Sequence, residues 1–352
     1  MSPDSTTTDT LSRAGQHAFG APTLSGTLRA TPQDFRVVEE LGFEPSGDGP
    51  HAFVLVEKED LTTLDLIDQV ARAARTRPRE VGYCGLKDRY AVTRQWLSLP
   101  QIRAGEASSW SFDQWRVVDV SRNRRKLKIG AHKRNRFVLR ITGLDGSPED
   151  LASRIEAIRE RGVPNYFGAQ RFGHQGDNLR RARRWFVDGV ELKRRQRRFA
   201  LSAARSWLFN RVLSARVEAG NWATLLPGEP VSLDGSRSFF HPKEDEAESL
   251  AERFDALDLH PSGPLWGAGD SEAKADCAAF EADAMTQMDW LADGLAAQGL
   301  RQERRALRLQ VMDLETTLTD DILELRFALN KGAFATSVVH ELVRVNGGQI
   351  YA

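Results

Sequence analysis

The stretch Gly85-Leu86-Lys87-Asp88-Arg89 carries the most information in this chain. It follows the apolar run Val81–Cys84 and precedes Ala91–Ser98, and both runs are typical of strands. Asp88 is therefore expected on a short turn at a strand end, between two basic residues. Nearby cations favour the ionised form of a carboxylate, which is the form that can attack carbon. The alternative is an ordinary turn aspartate, because Gly and Asp are frequent turn residues.

The composition is that of a globular protein, and the length of the chain predicts two domains. The chain has 352 residues, of which 41% are hydrophobic and 28% charged. No apolar run reaches the roughly 18–20 residues of a membrane span, so no membrane association is expected. Residues 1–20 predict a disordered lead-in, because Met1 to about Gly15 is rich in Ser, Thr and Asp without the apolar stretch of a signal peptide. Only Cys84 and Cys277 are cysteines, which favours a reducing, cytoplasmic location.

The charge is distributed unevenly although its net value is zero. Residues 121–140 contain nine Lys or Arg and no acid, and residues 171–200 contain ten against three acids. Residues 244–283 are strongly acidic. This asymmetry predicts a basic face that binds phosphates, and solvated helix faces are the alternative explanation.

The periodicity changes along the chain. Strand patterns occur at Phe35–Leu41, Ala52–Glu57, Trp115–Val120 and Phe137–Ile141, with a helical stripe at Thr63–Arg75. After Gly162 helical patterns dominate: Asp177–Val187, Leu201–Glu218, Lys243–Leu257 and Glu272–Ala297. Strand patterns return at Leu307–Leu314 and Ile322–Leu329, before a last helix at Phe334–Arg344. The pattern predicts an α/β (α+β) protein with a helix-rich insertion between two strand-bearing parts.

Four blocks give the chain a resemblance to a known family: Pro32–Phe35, Gly85–Asp88, Asn165-Tyr-Phe-Gly-Ala-Gln-Arg-Phe-Gly173 and Ala333–Val339. Their residues and order, from about Gly26 to about Val345, resemble the tRNA pseudouridine synthase D family. The resemblance implies a pseudouridine synthase catalytic domain with a mixed, mainly antiparallel sheet, formed by residues 21–164 and 310–352. Residues 165–309 would be a family-specific inserted helix-rich α/β domain. The implied activity is an isomerase that converts uridine, at position 13 of tRNA, to pseudouridine.

The resemblance also assigns site residues. Asp88 would be the catalytic aspartate, and its attack on C1′ or on the pyrimidine ring stays open. Arg29 would keep Asp88 ionised or bind the target phosphate, with an exposed strand-end arginine as the alternative. Phe35 would stack on a flipped uracil, and Phe334 would be a further substrate contact, although either ring suits a core.

Asn135 and Phe137 match the family's Asn-x-Phe. The Asn135 amide offers a donor and an acceptor to the uracil edge, and Phe137 would pack against the base. The family usually has Gly before this Asn, whereas this chain has Arg134. An arginine there would be strained, or the loop would differ.

The Asn165–Gly173 block begins the insertion. Gln170 and Arg171 would contact RNA, or the block would act as a structural hinge, which we favour.

The implied isomerisation needs no cofactor and no metal. The seven histidines show no close metal-ligand spacing, and no phosphate-binding or dinucleotide fingerprint occurs. The expected partner is tRNA, and the expected state is a monomer. A non-catalytic RNA-binding or RNA-folding module and a base glycosylase using Asp88 remain as alternatives.

Overall fold

A computed structural model describes residues 15–100, 104–243 and 246–346. Within these residues, no helix combines the length and the apolarity that a membrane crossing requires. The expected disordered lead-in lies mostly outside them.

The largest element is a mixed, mainly antiparallel sheet. Its strands are β1 (Ser25–Leu28), β2 (Phe35–Leu41), β3 (His51–Glu59), β4 (Gly82–Tyr83), β5 (Val92–Pro100), β6 (Trp115–Asn123), β7 (His132–Asp145), β14 (Met312–Leu318), β15 (Ile322–Asn330) and β16 (Arg344–Val345). The main order is β14-β15-β7-β2-β5-β3-β6, with β1 on β7 and β16, and β4 on β5. The β2/β5 and β1/β16 pairs are parallel, and the others are antiparallel. The predicted fold class is therefore confirmed.

Strand β7 organises this sheet because its side chains alternate between two faces. Phe137, Leu139 and Ile141 are buried, whereas Arg140 is exposed. The buried residues join a core with Phe327 of β15. Helices α3 (Leu151–Arg161) and α9 (Ala335–Leu342) contribute apolar side chains to the same core. Helix α1 (Thr63–Ala73) packs on β3 and β5, and the short α2 (Ala104–Ala107) precedes β6.

The chain between the two strand-bearing parts has a large core, which we call the second core, and a small cluster of Val231, Leu250 and Leu259. The helices of this part are α4 (Asp177–Phe186), α5 (Arg194–Glu218), α6 (Ala247–Asp255), α7 (Ala275–Ala284) and α8 (Asp289–Ala297). A four-stranded sheet runs in the order β10 (Phe239–Phe240), β9 (Val231–Leu233), β11 (Leu259–Leu265), β12 (Glu303–Ala306). At the junction, β8 (Val163–Pro164) pairs with β13 (Arg308–Leu309). The domain limits given above stay a prediction.

Three sequence-based expectations differ from the structure. The single helix expected at Glu272–Ala297 is two helices, separated around Gln287, whose φ of 70° is left-handed. Strand β11 was not expected, because His260-Pro-Ser-Gly-Pro264 is poor in β-forming residues. Residues 15–20, assigned to the lead-in, pack on the protein: the backbone N of Ala18 donates to Glu341 Oε2 at 3.0 Å.

Candidate active site

The turn that carries Asp88 is held from two sides. The backbone N of Lys87 donates to Thr63 Oγ1 at 2.8 Å, at the start of α1. The ammonium of Lys58, on β3, donates to the backbone O of Asp88 at 2.7 Å. A turn whose backbone is anchored at both Lys87 and Asp88 presents the Asp88 side chain in a defined direction. The Asp88 side chain is 34% exposed, so it is open to a ligand.

Arg29 is the cation that contacts the Asp88 carboxylate. Its Nη2 lies 2.6 Å from Asp88 Oδ2, and its side chain is only 7% exposed. The guanidinium also lies over the ring of Phe35, with Cζ 3.6 Å from the ring centroid. The backbone of Arg29 has a φ of 62°, a conformation that a non-glycine residue adopts only where its surroundings require it. The exposed strand-end arginine considered from the sequence is therefore wrong.

The two basic neighbours of Asp88 in sequence do not flank its carboxylate. Lys87 Nζ forms a buried ion pair with Glu39 Oε2 at 2.6 Å, and Arg89 pairs with Asp60 at 3.0 Å. Successive side chains in this turn diverge, and the cation at Asp88 comes from a distant strand end. The expectation that Lys87 and Arg89 flank the Asp88 carboxylate is therefore wrong, and the cation beside it is Arg29.

All six predicted site residues border one cavity of about 300 Å³. They are Arg29, Phe35, Asp88, Asn135, Phe137 and Phe334. The cavity lies between the large sheet, the Asp88 turn and the segment 168–171 of the second core. We call it the active-site cavity.

Aromatic rings form one side of this cavity. Phe35 and Phe137 meet edge to face with centroids 6.2 Å apart, and Phe137 stacks on the fully buried Phe327 at 5.3 Å. Phe334 faces the second core and meets Phe167 at 5.9 Å. The positions of these rings are therefore fixed by packing.

Asn135 brings a polar group to the cavity. Its Oδ1 is buried and receives no hydrogen bond from the described part of the chain, so it is available to a donor on a ligand. The preceding Arg134 lies in β7 without a left-handed φ, and its guanidinium pairs with Glu40. The concern that an arginine would be strained there is therefore wrong.

Lys58 was missed by the sequence reasoning. It is 1% exposed and follows Val54 and Val56 on the inward face of β3. Burial lowers its pKa from 10.5 to about 8, although the charge of Asp88 opposes this. A lysine that continues an inward-facing apolar alternation is the signal that could have identified it.

A buried polar cluster lies behind the cavity. Glu39, Cys84 and His132 each place one potential ligand atom within 4.8 Å of the others. However, Glu39 Oε2 is bound by Lys87 and Glu39 Oε1 accepts from the backbone N of Trp96 at 3.1 Å. Burial raises the pKa of Cys84 to about 12, which disfavours the thiolate that metals prefer. Both carboxylate oxygens of Glu39 are therefore already engaged within the protein.

The Asn165–Gly173 block lies at the junction with the second core and also reaches the active-site cavity, so its two proposed roles stay predictions. Asn165 joins the start of the second core to its end, since its Nδ2 donates to the O of Ala306 at 2.8 Å. Arg171 borders the active-site cavity and donates to Ser202 Oγ at 3.1 Å.

Comparisons with known proteins find matches over nearly the whole chain. The family model described as tRNA pseudouridine synthase D (TruD) matches residues 15–189 and 177–342. The chain is 45% identical to the tRNA pseudouridine synthase D of Nitrosococcus oceani, covering 94% of this chain and 95% of that protein. It is 46% identical to that of Methylococcus capsulatus, covering 93% of each. A crystal structure of a putative tRNA pseudouridine synthase D from Methanosarcina mazei superposes with a TM-score of 0.76 at 19% identity, covering 96% of this chain and 98% of that one.

Proposed function

The chain belongs to the tRNA pseudouridine synthase D family, and we propose that its active-site cavity isomerises uridine 13 of tRNA with Asp88 as the attacking group. The protein is a tRNA pseudouridine synthase. The observation that carries the assignment of its site is the convergence of six predicted residues from separate segments on one cavity.

The reaction needs an ionised carboxylate next to a uridine that has left its stack. The N1–C1′ bond breaks, the uracil turns, and a C5–C1′ bond forms, while C5 loses a proton and N1 gains one. Asp88 bonds to the nucleotide transiently, and this bond breaks again to return the free carboxylate before pseudouridine is released. Arg29 orients the carboxylate through the 2.6 Å ion pair.

The other cavity residues hold the base. Phe35 and Phe137 supply flat apolar surfaces that the uracil ring contacts while it turns. The Asn135 Oδ1 accepts from the uracil N3–H, which satisfies an atom that is otherwise buried without a partner in the described chain. Phe334 closes the side that faces the second core.

The test compares Asp88→Asn with the wild type on an unmodified tRNA transcript, without added cofactor. Carbodiimide labelling and primer extension locate pseudouridine, and chromatography detects free uracil. We expect wild type to form pseudouridine at position 13 without release of uracil, and Asp88→Asn to form none. The matched control is Asp60→Asn, the same substitution at an aspartate that pairs with Arg89 outside the cavity.

Each alternative predicts a different result. A non-catalytic RNA-binding module would bind the transcript and leave it unmodified. A base glycosylase would release uracil. Full activity of Asp88→Asn would refute the role of Asp88.

We also propose that the enzyme acts as a monomer in the cytoplasm. Every proposed site residue comes from one chain, and both cysteines are free thiols. Light scattering of the active protein tests the monomer.

A further inference from the structure

A second, larger cavity lies beside the active-site cavity. It has a volume of about 550 Å³ and is bordered by the β9–β10 turn, by β12 and β13, and by the turn before α9. Gly332 and Ala333 border both cavities. Gly332 has a φ of 84°, and no atom of the described residues lies within 4 Å of the place where a Cβ would stand, so the border is open at this residue. We call this space the interdomain cavity.

Two guanidinium groups stand at the boundary between the cavities. Arg171 borders the active-site cavity and Arg305 borders the interdomain cavity. Both groups lie against the ring of Phe167, whose centroid is 5.3 Å from Arg171 Cζ and 4.3 Å from Arg305 Cζ. This arrangement brings two positive charges close together at the boundary between the cavities.

Neither guanidinium pairs with a carboxylate in the described residues. Arg171 donates to Ser202 Oγ, and Arg305 Nη2 donates to Asn165 Oδ1 at 2.6 Å and to the O of Gly332 at 3.3 Å. The Arg305 Nε has no acceptor within the described chain. Burial lowers the pKa of both side chains, that of Arg305 to about 9 with a contribution from the charge of Arg171. An anion between them would relieve this repulsion.

The remaining charges favour an anion as well. Arg237 and Lys331 are exposed at the rim, and neither pairs with an acid in the part of the chain described here. The acids are engaged: Asp234 accepts from Asn330 at 2.6 Å and lies 3.0 Å from His260 Nε2. The other charged lining residues also have partners: Glu303 pairs with Arg205, Arg304 pairs with Glu281, and Arg308 donates to backbone carbonyls and to His260.

We propose that the interdomain cavity binds the nucleotide adjacent to the target uridine, with the phosphodiester between them held by Arg171 and Arg305. The proposal rests on the proposed function. It follows from the shared Gly332–Ala333 border, which an RNA strand leaving the active-site cavity crosses, and from unpaired guanidinium groups, whose geometry matches phosphate oxygens. Arg237 and Lys331 then attract the phosphates that follow.

The experiment measures tRNA affinity and single-turnover pseudouridine formation for wild type, Arg305→Gln and Arg237→Glu. The control is Arg72→Glu, an exposed arginine of α1 that borders neither cavity. We expect both cavity variants to bind about tenfold more weakly. The slope of log Kd against log salt should fall by about 0.9 for each lost phosphate contact. Arg237 is exposed, so its variant decides the outcome should Arg305→Gln fail to fold.

Position is tested with transcripts in which one phosphodiester on either side of the target is replaced by a neutral methylphosphonate. At one of these positions, the neutral linkage should weaken binding to wild type and leave Arg305→Gln unaffected.

Equal losses in both proteins at every position, or cavity variants that behave as Arg72→Glu does, would overturn the proposal. Competition by inorganic phosphate with unchanged tRNA affinity of the variants would likewise overturn it and identify an adventitious anion site. If wild type shows the expected effects of salt and of methylphosphonate linkages on tRNA binding but forms no pseudouridine, the proposed function is refuted instead.

Discussion

Replacing Lys58 with Met tests how the Asp88 turn is supported. The ammonium of Lys58 is buried, and its one hydrogen-bond acceptor in the described chain is the backbone O of Asp88, at 2.7 Å. Lowering its pKa from 10.5 to about 8 corresponds to about 3 kcal/mol of unfavourable burial when the side chain is charged. The protein therefore places an energetically unfavourable charge, that of Lys58, against the backbone of Asp88, which we assign to catalysis.

The pH dependence of the free energy of unfolding measures how unfavourable the burial of the charged Lys58 side chain is. Between pH 8 and 10.5 the unfolded chain holds a proton on Lys58 that the folded chain has lost, so the free energy of unfolding rises with pH in this window. Lys58→Met lacks this contribution. The free energy of unfolding of wild type minus that of Lys58→Met should increase by about 2 kcal/mol between pH 7.5 and pH 10.

The assay is urea unfolding of both proteins across this range. Lys133→Met, which removes an exposed lysine of β7, is the control and should show no such increase. At pH 7.5 the single-turnover rate of Lys58→Met should fall about tenfold or more, because the hydrogen bond that holds the turn is lost, while tRNA affinity changes less than about threefold. Parallel stability curves for wild type and Lys58→Met would refute the reasoning.

Three further substitutions give defined expectations. Arg29→Met should lower the single-turnover rate about 100-fold, because it leaves Asp88 without its buried partner, and a rate near that of wild type would contradict the ion pair's role. Arg134→Gly should cost about 1 kcal/mol in urea unfolding, through its lost pair with Glu40, and should leave the rate within about threefold of wild type. Burial raises the pKa of Glu341 to about 7, so wild type loses stability as pH rises from 4.5 to 7. Glu341→Gln should therefore gain about 3 kcal/mol relative to wild type between pH 4.5 and pH 8 in the same assay, and a constant difference would contradict this.

The strands nearest the site follow directly from the sequence. The pattern placed a strand at Phe35–Leu41, which are the limits of β2, and a core strand around Phe137. Local alternation is sufficient there because one face of the strand is buried and the next residue is not. The family resemblance then supplied the six residues that border the active-site cavity.

The electrostatics of the site could not be read in the same way. Lys87 and Arg89 are adjacent to Asp88 in sequence, yet their side chains pair with Glu39 and Asp60. Arg29 reaches Asp88 only because the sheet brings distant segments together. Which charges meet is a property of tertiary structure, and sequence proximity is a poor guide to it.

The order of strands in the large sheet has a consequence for synthesis on the ribosome. Strand β7 pairs along its length with β15. Thr142 pairs with Ile322, which is synthesised about 180 residues later. At about 5–20 residues per second, one edge of β7 stays unpaired for roughly 10 to 40 s. During that time the unpaired N–H and C=O groups along this edge of β7 are open to pairing with other chains. We therefore expect nascent chains that stop before residue 322 to bind chaperones or aggregate, and full-length chains to escape both.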